Sequence, residues 1–213
     1  MGSCNSGGKG GGEGWGGGGG GAIDILNTDS LISARESQKL EVDETLQTFK
    51  DMNDEYGYQV DDLQIATLSA KDASVMAYYD GSNIAFNQTY FNKATMESAY
   101  ARCVANGYHP SQGNKTALQA VASHEIGHAL TDKAIAKMGS KAGKDGAESI
   151  LREAQKAVGH KGKLADMASK ISGYAKESAR ECIAEAVADV YCNGSKANSV
   201  SRSIVSVMNK YLK

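Results

Sequence analysis

No apolar run in this chain approaches the roughly 18 to 20 residues needed to span a bilayer. The N-terminus also lacks the apolar stretch of a secretory signal. Neither sign of charge is in excess: 23 Lys and Arg stand against 25 Asp and Glu, a net of −2. That balance leaves no basic footprint for nucleic acid. Cysteine is sparse, and Cys4, Cys103, Cys182 and Cys192 form no C-x-x-C pair. Free thiols in a reducing compartment are therefore expected, not a disulfide framework. Proline occurs once, Pro110, in the loop segment "GYHPSQGNK". What remains is a 213-residue chain long enough for one well-filled core.

Glycine is abundant but unevenly placed, with 13 of the 25 glycines inside residues 1–21. At that density the segment cannot offset its own chain entropy, so residues 1–34 read as a flexible leader or linker. The start "MGSCNS" also fits the M-G-x-x-x-S acylation pattern at Gly2, with Cys4 placed for a second lipid. A plain tether is the simpler reading.

Residues 35–213 read as a single α+β domain. Residues 35–57 carry an apolar stripe of Leu40, Val42, Leu46, Phe49 and Met52 and stop at Gly57. "DLQIATLSA" looks extended, and "SVMAYYDGSNIAFNQTYF" reads as two strands around a "DGSN" turn. A helix over 92–106 closes on Gly107. From residue 115 the pattern is almost wholly helical, in segments beginning near residues 116, 145, 163, 174 and 198. A small strand-rich unit followed by a helical unit is not the alternation of a parallel α/β sheet.

The chemistry concentrates in "ASHEIGHALTDK". His124 and His128 are four apart, so a helix projects both from one face, where they can grip one ion. Glu125, rotated by about 100° from His124, can reach a water on that ion without being a ligand. Ile126 can turn into the core, and Gly127 lets another backbone come close. The motif alone also occurs in helices that bind no metal, so the third ligand decides.

A metzincin extension would need Gly at 131 and His at 134, but Thr131 and Ala134 stand there. His160 lies in a polar loop, where a histidine more often faces solvent. The third option is the segment "YAKESARECIAEAVAD". Glu181 and Glu185 share a face there amid Cys182, Ile183, Ala184, Ala186, Val187 and Ala188. A buried carboxylate needs a metal or a donor. Glu181 can be the third ligand, with Glu185 accepting from the outer nitrogen of a ligating histidine. Tyr174, seven residues before Glu181, would line the same face if the helix begins in time, and can donate to an oxyanion.

These residues resemble the gluzincin metallopeptidases, most nearly the ATLF-like family of the anthrax lethal factor catalytic domain and its phage-encoded relatives. The resemblance implies a zincin-like fold and one zinc ion held by His124, His128 and Glu181. It also implies Glu125 as general base, Tyr174 as oxyanion donor and Glu185 behind the ligands, acting on a peptide or protein substrate. "SNIAFNQTYF" looks like the strand above the metal, which would make Ile84, Ala85, Phe86 and Asn87 an edge for an extended substrate. With no secretory signal, a cytoplasmic or phage-associated location is expected; the likeness alone suggests a secreted toxin, which would need non-classical or phage delivery. The alternative is a zincin-fold structural or interaction module with little turnover, such as a phage particle component. Substrate identity, the role of the helices over 133–173 and oligomeric state stay open.

Overall fold

A computed structural model of the chain describes residues 24–26, 38–57 and 62–213. The acylation pattern and the glycine tract lie outside the described residues, as do the first residues of the helix expected from 35. The elements are β1 (Asp24–Leu26), α1 (Lys39–Tyr56), β2 (Asp62–Thr67), β3 (Ala77–Tyr79), β4 (Asn83–Asn87), α2 (Lys93–Ala105) and α3 (Ala117–Met138). After these come α4 (Gly146–Ala157), α5 (Leu164–Ala168), α6 (Ala179–Asn193) and α7 (Ser199–Leu212). The order is mixed α+β and mostly helical, with the strands confined to the N-terminal part. No helix among the described residues is long and apolar enough to cross a membrane.

The strands form one sheet in the order β1-β2-β4-β3. β1 pairs antiparallel with β2, through Asp24 opposite Thr67, although composition had assigned that segment to the leader. β2 and β4 run parallel with Ile65 opposite Phe86, and β3 and β4 run antiparallel with Ala77 opposite Phe86. The hairpin over "DGSN" forms as its turn residues require, with the Asp80 carboxylate accepting from the backbone N–H of Ser82 and Asn83.

Two expectations change here. β4 lies inside the sheet with its backbone paired on both sides, so Ile84 to Asn87 are not a free edge. Ile84, Ala85, Phe86 and Asn87 are all buried. Asn87 is spent on structure: its Nδ2 donates to the Val75 carbonyl and its Oδ1 accepts from Thr89 N–H. On α1 the buried face runs through Glu41, Val42, Thr45, Thr48, Met52 and Tyr56, leaving Leu40 and Leu46 exposed. Glu41 is satisfied on that face by accepting from Lys93 N–H, and the Thr48 hydroxyl by donating to the Glu44 carbonyl one turn earlier in its own helix.

The long helix α3 is the hub of the fold, touching α1, α2, α4, α6, α7 and β3. Its N-terminus is fixed by a capping box in which Thr116 and Gln119 each receive the other's backbone N–H. Two acids from earlier helices reinforce that end: Glu97 accepts from Ala117 N–H, and Glu44 accepts from the Thr116 hydroxyl. Negative charge at a helix N-terminus is favourable by about 0.3–1 kcal/mol per group.

Candidate metal centre

Among the described residues, one group of His, Cys, Asp and Glu side chains converges closely enough to share an ion. It comprises His124, His128 and Glu181, whose donor atoms all lie within 4.8 Å of one another. Oε2 of Glu181 is 3.1 Å from Nε2 of His124 and 3.4 Å from Nε2 of His128. The histidines come from the middle of α3, and the glutamate comes from the first turn of α6.

Gly127, between the two histidines, is what allows α3 and α6 to meet so closely. A Cβ there would stand 2.9 Å from the Ala184 Cα and 3.2 Å from the Val187 Cβ. Any larger residue would push the helices apart along the seam that carries the ligands. Ile126 turns into the core and is fully buried, as its place in the motif anticipated.

Glu185 lies one turn deeper on α6 and is saturated with partners. Its Oε1 is 3.0 Å from Nδ1 of His109, and its Oε2 accepts from the Ser172 hydroxyl at 2.7 Å. The same Oε1 is 2.8 Å from Nδ1 of His124, though that N–H points off the oxygen and the attraction is mainly one of charge. Burial drives the Glu185 carboxyl upward, but the charge and hydrogen bond of His109, with the attraction of the nearby His124, outweigh it and hold the pKa at about 2. Burial likewise raises Glu181, and the hydrogen bonds and charges of the two histidines overcome it, leaving that carboxyl far below the usual range. Both glutamates are therefore anionic.

Glu125 behaves differently. It is buried, and desolvation pushes its carboxyl above the ordinary carboxylate range. The positive charges of His124 and His128 pull against that, while Glu181 adds to it. A carboxylate raised in this way is a better proton acceptor than an exposed one.

Tyr174 reaches the site by a different route from the one its spacing suggested. α6 does not extend back to it, because Ser178 is extended (φ −158, ψ 167) and caps the helix by accepting from Glu181 N–H. Tyr174 instead starts a separate single turn, Tyr174–Lys176. Its ring stacks on His124, with centroids 5.7 Å apart and planes at 15°. Burial, followed by the charges of Glu181 and Glu125, keeps the phenol protonated far above its normal range, so it remains a donor.

Three neighbours were not singled out from sequence: His109, Tyr108 and Ser172. His109 had a signal, being one of only four histidines and directly preceding the only proline. Ser172 and Tyr108 had none. Cys182 and Cys192 are free and buried, and burial raises both thiols to about 12, so neither is a reactive group. No protein-family model, curated protein or solved structure matches the chain.

Proposed function

We propose that the protein is a zinc-dependent metallopeptidase. The observation that carries this reading is the convergence of two imidazole nitrogens and one carboxylate oxygen beside a desolvated, non-ligating glutamate. Donors around a tetrahedral zinc at about 2.0–2.1 Å stand about 3.3–3.4 Å from one another. The separations of 3.1 and 3.4 Å between Glu181 and the two histidines are close to that spacing, and all three donor atoms lie within 4.8 Å of one another. The set of two histidines and a glutamate also leaves a position for water or substrate, as catalytic zinc requires.

His124, His128 and Glu181 would hold the ion. Zinc, when bound, supplies a Lewis acid that polarises the scissile carbonyl and acidifies a water. Glu125 takes the proton of the attacking water, since its carboxyl is raised and lies beside the ligands. It then returns a proton to the leaving amine, so that the peptide bond breaks with overall addition of one water. Tyr174 donates its phenolic hydrogen to the developing oxyanion, a contact worth more as charge builds than in the ground state. An extended substrate would pair with β3, a terminal strand of the sheet that touches α3, in place of the interior β4.

The reading is tested by digesting a peptide library with zinc-loaded wild type beside Glu125→Gln. Wild type is expected to cleave, and the variant to lose about 10²–10⁴-fold in rate while keeping its zinc. Cleavage surviving the substitution at near wild-type rate would overturn the assignment of Glu125. Stoichiometric zinc without cleavage of any peptide would favour a structural module.

A further inference from the structure

The connection between α2 and α3 supplies none of the candidate ligands, yet it contacts both Glu185 and the Tyr174 turn behind them. Its residues Gly107 to Pro110 form a bracket. The Gly107 carbonyl accepts from Gly173 N–H at 2.7 Å, and the Tyr108 carbonyl accepts from Tyr174 N–H at 3.0 Å. The two backbones run so close that a Cβ on Gly173 would stand 3.2 Å from the Gly107 oxygen and 3.4 Å from the Tyr108 Cα. The Tyr108 ring stacks on Tyr174 at 5.0 Å, and His109 meets Tyr174 edge-on at 5.4 Å.

His109 is itself held in one orientation. Tyr100, buried on α2, lies flat against it, with centroids 5.3 Å apart and planes 3° from parallel. The Tyr100 hydroxyl donates to the Pro110 carbonyl at 3.0 Å, tying that ring to the same loop. On its far edge, His109 Nδ1 faces Oε1 of Glu185. At 3.0 Å the two share a hydrogen bond, in which an Nδ1–H donates to the carboxylate oxygen. Oε1 is also the oxygen that faces His124, and the partner of Oε2, Ser172, accepts from the N–H of Ala175, next to Tyr174. One carboxylate thus links His109, a metal-side histidine and the Tyr174 turn.

We propose that His109 is a positioning residue of the metal centre, fixing Glu185 so that His124 keeps its ligating orientation and the Tyr174 turn its place. This rests on the zinc-peptidase reading above. Without the Nδ1 donor, Oε1 has only the poorly aligned His124 contact, and the carboxylate can swing away from it. Outer partners of metal ligands typically change metal affinity by about 10–100-fold.

The test uses the full chain and four variants: His109→Phe, His109→Gln, Glu185→Gln and the double change H109F/E185Q. The Phe variant keeps a ring against Tyr100 and Tyr174 but removes the donor, whereas Gln can still donate to Glu185. Zinc affinity is read by competition with a chromophoric chelator, folding by thermal melting, and cleavage as separate kcat and KM. H109F is expected to weaken zinc about 10–100-fold and to lower kcat more than it raises KM. H109Q should restore most of the zinc affinity, and H109F should cost nothing further in the E185Q background. A folded H109F that binds zinc like wild type, a loss that H109Q does not rescue, or a loss undiminished in the E185Q background would each overturn the inference. If H109F does not fold, H109Q against E185Q decides: zinc affinity near wild type in the first and reduced in the second supports it, and equal losses overturn it. Wild type binding no zinc would instead overturn the peptidase reading itself.

Discussion

The two glutamates of α6 stand one turn apart in opposite surroundings. Glu181, at the mouth of the site, is 21% exposed and faces the two histidines with which it would share an ion. Glu185, at the back, is 1% exposed and is engaged by His109, Ser172 and His124 together. The mouth keeps lone pairs for a metal, whereas the back has committed its own to the protein. The candidate ligands are therefore backed by groups that would not touch the ion, and such groups keep a ligating histidine from turning away.

Breaking the back should cost the fold more than the mouth does. Glu185→Ala leaves His109 and Ser172 donating into a buried void, and removing one partner of a buried charged network costs about 3–5 kcal/mol. Chemical denaturation should register that loss, together with weaker zinc binding. A smaller effect comes from the seam between the two regions. Gly127→Ala places a methyl against the Ala184 backbone, and overpacking of this kind costs about 1–3 kcal/mol. Its zinc affinity should fall with the stability, because both ligand-bearing helices move; a variant matching wild type in both would deny that close packing sets the ligands. Smallest of all is the rim: Arg180 on α6 pairs with Asp132 on α3, but both are exposed. Arg180→Ala should change the melting midpoint by an amount equivalent to about 0–1 kcal/mol and leave zinc binding intact.

Where signals were local, the sequence was readable. The capped start of α3, the buried run Cys182–Ala188 and the "DGSN" turn all follow from neighbours within a few residues. The close approach at Gly127 was legible too, because a glycine inside an otherwise strong helix asks for a reason. Three features were not: one had a local signal that was passed over, and two depend on contacts across the fold. Tyr174 stands two turns before Glu181 in number only; Ser178, with Glu181 three residues later, carried a cap signature that breaks the helix between them. β4 reads like any hairpin strand, and only its parallel pairing with β2 shows it to be interior. His109 and Ser172 lie 76 and 13 residues from Glu185, a separation at which no periodicity speaks.

If His124, His128 and Glu181 form one zinc site, the metal content of the purified protein reports it. Wild type and Glu181→Ala would be purified identically, checked for equal folding, equilibrated with zinc and analysed by inductively coupled plasma mass spectrometry after removal of loose metal. One zinc per wild-type chain and a large loss in the variant are expected. No zinc in the wild type, or equal zinc in both proteins, would contradict that site.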